Sequence, residues 1–363
     1  MLAQAAQTPD QANLFMKMFY IFGAYGQDET ALHMQSKALE FRRFFRVVSP
    51  QKPKIKLLAL VAAGDMMDNA PLDFLIENTD IQLELMYVDA NVVNIQSEQM
   101  IVPEHDVMFV AIGESPKNNL ILERLETLLK AWPRPYINEP GSIKKCARDV
   151  FSVLMRSAPN IRVANTVKLL RDKIKYETTP FTVRPIGSHA GTGFQKISSN
   201  SELKKYLSAY ANNQLFYKAE FIDYQSNDGK YRKYRIALIE GKPYISHLAI
   251  SEHWIVHYFP SGMEYSQRKR EEEEDEMLNF DKRFGRQHSK AFSFIHQCLG
   301  LDYVVLDCAQ SLEGELIVFE ADSGAWVHAT DPVELFPYKP VFMQKIFDAF
   351  RSMLIEKSKV FNN

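Results

Sequence analysis

Cysteine is scarce: only Cys146, Cys298 and Cys308 occur, far apart and without a Cys-x-x-Cys spacing. That excludes a disulfide framework and a cysteine-built zinc site, and it is the usage expected in a reducing cytoplasm. Long apolar runs are missing too. The longest, around residues 57–63, falls far short of the roughly 20 residues a membrane helix needs. The first ten residues carry no basic stretch followed by an apolar core, so no signal peptide is read there. Charge of one sign is also lacking, with 43 Lys and Arg against 45 Asp and Glu. A net charge of −2 and a pI near 6.5 give no bias toward polyanions and argue against a nucleic-acid partner. Any phosphate site must therefore be local. The expectation is a cytoplasmic protein with neither a membrane nor a nucleic-acid partner.

What is present is a core former, 46% hydrophobic and 12% aromatic over 363 residues, a length that suggests two or three lobes of roughly 150 residues each. Residues 11–48 read as two helices broken at Gly23-Ala24-Tyr25-Gly26, within an N-terminal helical arm over 1–50. Residues 51–141 alternate strands (55–62, 81–88, 106–112, 135–138) with helices (71–77, 120–131), as in a small α/β domain. Their strand-end loops, Gly64-Asp65 and Gly113-Glu114-Ser115, lie at the edge where such sheets bind ligands. Residues 142–165 read as helical. Beyond them, strands at 179–185, 214–224, 231–240, 242–251, 303–309 and 315–321 surround helices near 201–211 and 287–298. That predicts an α+β pair of lobes over 142–225 and 226–363, closed by a helix at 341–355. The charge run from Arg268 to Glu276 reads as a solvated helix or lid.

Four segments carry the chemistry. The first, Thr182-Val183-Arg184-Pro185-Ile186-Gly187-Ser188-His189-Ala190-Gly191-Thr192-Gly193, delivers a cation on a strand and then a glycine-rich turn. Such a turn exposes backbone N–H groups to phosphate oxygens, because glycine tolerates close approach and positive φ, and Arg184 adds a charge-assisted contact. It is neither a Walker A loop nor a dinucleotide fingerprint. The second, Tyr217-Lys218-Ala219-Glu220-Phe221-Ile222-Asp223-Tyr224, could run beside an adenine, with backbone groups near Glu220, Phe221 and Ile222 reading its edge, Asp223 taking the ribose and Lys218 a phosphate.

The third opens a strand with Arg235, a cation that needs an anionic partner on so apolar an element. His247, His253, Trp254 and His257 follow at a spacing that is no known zinc motif; they read as the lining of an acceptor pocket, with His257 a catalytic candidate. The fourth pairs residues 301–308 with 316–322 as a hairpin. Asp307 ends one strand, and Glu320 with Asp322 shares a face of the other. Three carboxylates beside apolar strands call for a cation, and Mg²⁺ takes such hard oxygen ligands. Each segment alone also has a plain structural reading: a turn, an edge strand, acids facing water.

Their order resembles the ATP-grasp superfamily, over roughly residues 54–330, close to the amide-forming branch related to D-alanine:D-alanine ligase and glutathione synthetase. Asn138-Glu139-Pro140 resembles that family's transition between domains, and the N-terminal helices resemble a degenerate tetratricopeptide unit. The resemblance implies an ATP-grasp fold preceded by a small α/β domain, with ATP and one or two Mg²⁺ ions as cofactors. It implies that a carboxylate attacks ATP to give an acyl phosphate, which an amine, or less often a thiol, then displaces. Arg184, Gly187, Ser188, His189, Gly191 and Gly193 would hold phosphate, Arg235 the oxyanion, and Asp307, Glu320 and Asp322 the metal. Two departures stand out: Arg184 replaces the usual lysine, and Asp322 the usual asparagine. The family's second phosphate-binding lysine has four candidate positions, Arg148, Arg171, Lys173 and Lys218. Expected partners are small-molecule carboxylates and amines, with the helical arm as a surface for another protein or for the second protomer of a homodimer. Two rival readings keep the fold: a kinase or phosphohistidine-forming enzyme, carried by His189 and His257, and a lapsed nucleotide-binding scaffold, carried by Asp322.

Overall fold

The computed structural model describes residues 10–47, 51–91, 102–188, 191–258 and 260–359. Two helices, α1 (Gln11–Ala24) and α2 (Asp28–Phe41), meet at the break read around Gly26, which adopts φ +69°. The helical reading to residue 48 is too long: Phe44–Val47 is a strand, β1, paired antiparallel with β3 (Ile81–Val88). The helices thus run straight into a sheet edge. A single pair carries no repeat, and no finding supports the tetratricopeptide likeness.

The first sheet has the order β1-β3-β2-β4-β5, with β2 at Ile55–Ala62, β4 at Val107–Val110 and β5 at Tyr136–Ile137. Apart from β1 its strands are parallel, as the alternation with helices α3 (Leu72–Leu75) and α4 (Asn119–Leu129) predicts. The continuous apolar run of β2 is explained by burial on both faces. Leu58, Leu60 and Ala62 join one core, while Leu57, Ala59 and Val61 join the other.

The segment expected to be helical from 142 to 165 is shorter and more varied. It gives α5 (Pro140–Ile143), α6 (Arg148–Met155) and then a two-residue strand, β6 (Ile161–Arg162). Next comes an antiparallel sheet of order β7-β10-β8-β9, from Thr166–Leu170, Leu215–Glu220, Phe181–Pro185 and Gln195–Ile197, with α7 (Asn200–Ser208) behind it. A third sheet, β12-β11-β13-β14-β6, uses β11 (Tyr231–Ile239), β12 (Lys242–Ser251), β13 (Tyr303–Gln310) and β14 (Leu316–Asp322). Helices α8 (Gln267–Asn279), α9 (Phe284–Gln287), α10 (Ser289–Leu299) and α11 (Lys339–Lys359) complete the chain. No helix among the described residues is long and apolar enough to cross a membrane.

Two devices lock the first sheet to the third. Asn138 follows β5 at φ +62°, and its side-chain amide donates to the Tyr303 carbonyl at 2.8 Å while accepting the Tyr303 N–H at 3.0 Å. Helix α11 supplies the second: the Phe350 ring meets both Phe109 of the first sheet and Tyr303 of the third. Each fully buried aromatic of this kind contributes about 2 kcal/mol.

The charge run forms a helix that exposes Arg268, Glu271 and Asp275 to water, as expected, but its other side is not solvated. Within α8, Lys269 and Glu273 are buried. Lys269 donates to the Ser261 carbonyl at 2.8 Å and to Glu252 at 2.9 Å. Glu273 accepts from the Leu248 N–H and from the hydroxyls of Tyr258 and Tyr338. The helix therefore anchors the segment at 252–261, one wall of the cleft described next.

Candidate functional site

A cleft of about 530 Å³ opens between the second and third sheets, within the size range of small-molecule sites. Arg184, Ser188, Gly191, Glu220, Phe221, Ile222, Arg235, His257, Asp307, Glu320 and Asp322 all line it, so segments up to 138 residues apart in the chain meet there. Gly187 lines a small recess beside it.

The glycine turn behaves as its sequence demands. Gly191 adopts φ +76°, and a Cβ there would stand 2.7 Å from the His257 Nε2. Gly193 adopts φ +66°, but its close neighbours are Pro185 and Tyr210, so it shapes the turn without facing the cleft. Arg184 donates to the Ser188 carbonyl and hydroxyl, tying the strand's cation to the loop. His189 lies outside the described residues.

Of the four candidates for a second phosphate cation, only Arg148 lines the cleft. It pairs with Glu320 and donates to the Phe319 carbonyl at 3.1 Å. Burial and then the nearby Arg148 charge push the Arg184 guanidinium down to about 10. Two half-buried guanidiniums that oppose each other's charge suit an anion between them.

Lys218 does not line the cleft, contrary to expectation. Strand alternation turns Tyr217 and Ala219 inward, leaving Lys218 over the Phe181 ring and paired with Glu177. Asp223 is exposed and accepts from the Gln225 N–H at 3.1 Å, so it belongs to its own turn. The N–H groups of Glu220 and Phe221 donate to the Asn165 and Pro180 carbonyls, which occupies two of the donors expected to read an adenine edge. The wall itself is aromatic: Trp254 packs edge-on against both Phe194 and Phe221. His253 is exposed, while His247, Trp254 and His257 line the cleft. Burial holds both imidazoles below the usual histidine range, so they are neutral at pH 7.

The three carboxylates do not gather as one cluster; among the described residues no group of three or more His, Cys, Asp or Glu side chains is placed to hold a metal. Their charge is met by the protein's own cations. Asp307 accepts from Arg235 at 2.8 and 3.1 Å and from Lys233 at 2.9 Å. Burial works against its ionisation, yet Arg235 and Lys233 hold it well below the ordinary carboxylate range. Glu320, its cross-strand partner, is likewise held low against burial by Arg148 and Arg184. Asp322 accepts from the Gly324 N–H at 2.7 Å.

Lys233 escaped the sequence reading, although strand alternation with Arg235 puts both on one face. Trp326, His328 and Asp331 escaped it too; they follow β14 in an irregular segment and line the far end of the cleft.

No protein-family model matches the chain, and a sequence search of curated proteins finds no relative. Solved structures do match in shape. D-alanyl-alanine synthetase A from Vibrio cholerae O1 biovar eltor superposes with a TM-score of 0.52 at 13% identity, over 85% of this chain and 99% of that one. The D-alanine-D-alanine ligase from Coxiella burnetii gives 0.51 at 10%, over 84% and 96%. VanG D-Ala:D-Ser ligase from Enterococcus faecalis gives 0.50 at 12%, over 83% and 100%. With its parallel first sheet, its cleft between two further sheets and these likenesses in shape, the chain has the ATP-grasp fold.

Proposed function

We propose that the chain is an ATP-dependent ligase that activates a carboxylate as an acyl phosphate and joins it to an amine. The observation that carries this reading is that Arg148 and Arg184, close enough for one charge to act on the other, line a cleft walled by apolar rings beside the positive-φ glycine turn. A triphosphate is the anion that such a pair and turn suit, and the aromatic wall around Phe221 and Trp254 suits a base. In the first step a carboxylate oxygen bonds to the γ-phosphorus while the bond to the β-phosphate oxygen breaks, releasing ADP. In the second, the amine nitrogen bonds to the acyl carbon, phosphate leaves, and the nitrogen's surplus proton passes to solvent. Catalysis of this kind is positioning and charge stabilisation.

Arg235 is rigidly set for that role. Three of its five N–H donors meet Asp307 twice and the Trp326 carbonyl, and the remainder suit an oxyanion. Glu320 and Asp322 fit a magnesium ion, as hard oxygen donors two residues apart on one strand of the cleft wall. Asp307 fits less well, since both its oxygens are engaged. Bound there, the ion would neutralise phosphate charge.

The test has two parts. Mg²⁺-ATP should raise the melting temperature of the full chain while NADH does not. A pairwise screen of small carboxylates with amines should then give stoichiometric ADP and a coupled product by mass spectrometry. ADP release that depends on no acceptor, with phosphate on His257, would favour a phosphotransferase; ATP binding with no ADP from any pair would favour a lapsed enzyme.

A further inference from the structure

The far end of the cleft, past Arg235, has its own chemistry. Trp326 and His328 lie two residues apart and both rest on the Phe74 ring, at 5.7 and 5.8 Å between centroids. Asp331 follows them, with only 8% of its side chain exposed. Its Oδ2 accepts from Lys339 at 3.0 Å, but its Oδ1 is buried with no hydrogen-bond partner. The indole N–H of Trp326 is buried and unpartnered as well. All three side chains line the cleft, together with His247, Tyr258 and Ser246.

An orphaned buried acceptor and an orphaned donor each destabilise the fold, and in a native protein such groups call for a reason, of which a bound ligand is one. Lys339 does not settle the acidic charge, because the same ammonium also lies 3.4 Å from Glu273. One cation thus serves two carboxylates. Arg235 and Lys233, which also line the cleft, are committed to Asp307. The Tyr258 ring already holds the Lys339 ammonium, 3.8 Å from its centroid, so the Trp326 ring is the flat face left at this end to favour a cation over an anion.

We infer that this end of the cleft is a substrate subsite for a cationic amine carrying a neutral hydrogen-bond acceptor, with the ammonium on Asp331 and the acceptor on the Trp326 indole N–H. The assignment of that amine as the acceptor substrate rests on the ligase reading, in which the ammonium first passes one proton to the Asp331 carboxylate and then attacks as the neutral amine. A free carboxylate at the same place would meet the unneutralised oxygen of Asp331 and be rejected. The acceptor class is therefore an amino amide or amino alcohol, and the subsite sets specificity by charge.

The probes are β-alaninamide and succinamate, which share a chain length and an amide and differ in the charge of the other end. Isothermal titration of the full chain should show β-alaninamide binding about tenfold or more tighter than succinamate, the worth of one charge-assisted hydrogen bond. Asp331→Asn should erase that discrimination. Trp326→Phe, which keeps a ring but removes the donor, should weaken β-alaninamide several-fold and leave the charge preference. Equal binding of the two probes, binding of neither, or discrimination intact in Asp331→Asn overturns the proposal. If Asp331→Asn does not fold, unchanged affinity in Trp326→Phe overturns it and weakened affinity supports it. Mg²⁺-ATP stabilisation without β-alaninamide binding removes this subsite alone. β-Alaninamide binding without any nucleotide effect removes the ligase reading and keeps the subsite.

Discussion

At the scale of single residues, the cleft is governed by which cation meets which carboxylate. Asp307 neutralises two cations that are largely shielded from water, with 24% and 14% of the Arg235 and Lys233 side chains exposed. Removing its charge leaves both unpaired, and breaking a buried pair in this way costs about 3 kcal/mol or more. Asp307→Asn should therefore lose about that much stability in a urea melt. Glu320 is more open, at 37% of its side chain, so solvent screens its pair with Arg148 and the stability cost of Glu320→Gln should stay within about 1 kcal/mol. Its loss should fall on turnover instead, about a hundredfold, with an intact circular dichroism spectrum. Equal melts for the two variants would show that the two acids do not have these separate roles.

At the scale of elements, the glycine turn and the last helix make opposite demands. Gly191→Ala puts a Cβ against His257 in a left-handed backbone, and nucleotide affinity measured by titration should fall at least about tenfold. Gly26→Ala is the control: its φ of +69° is similar, but nothing lies within 4 Å of the added Cβ. That change should cost only about 1 kcal/mol of stability and no affinity. Helix α11 is clamped to the first sheet by Arg351, which grips Asp80 with two bonds of 2.7 Å. Arg351 first and Lys54 after it hold Asp80 well below the ordinary aspartate range, against its burial. A carboxylate depressed in the folded state lends stability above its unfolded pKa near 3.9, and that stability drains away as pH falls through the folded value. Asp80→Asn should thus lower the stability at pH 7 by the worth of a charged hydrogen bond, about 1.5–3 kcal/mol, read as a lower melting temperature. The difference from wild type should shrink below pH 4; a constant difference across that range would mean the pair is not the cause.

At the scale of the whole molecule, Asn138 is where the first sheet is tied to the third. Asn138→Ala strips the Tyr303 peptide of two buried partners and places alanine at φ +62°, so a loss of about 3 kcal/mol is expected. Because the tie joins two sheets, thermal unfolding should also broaden or split into two transitions, read by calorimetry. A single sharp transition at the wild-type temperature would show that α11 alone holds the sheets together.

The residues themselves determined much of this arrangement. The apolar run at 55–62 and its neighbours specify parallel strands, the glycines at 187, 191 and 193 specify a left-handed turn after Arg184, and the order of acids and arginines marks the ATP-grasp pattern. These signals are local, set by alternation and backbone freedom within a few residues. Strands as short as Ile161–Arg162 and Gln195–Ile197 hold too few alternations to show a period, so only pairing reveals them. The fate of charge was likewise invisible along the chain. Glu273 reads as one acid in a run of them, yet its partner Tyr338 lies 65 residues away, and burial follows from that partner. The three carboxylates asked for a cation, but only folding brought Arg148, Lys233 and Arg235 to them. Electrostatic pairing acts over a few ångströms in space, so it belongs to the tertiary structure, and so does the chemistry of Trp326 and Asp331 at the end of the cleft.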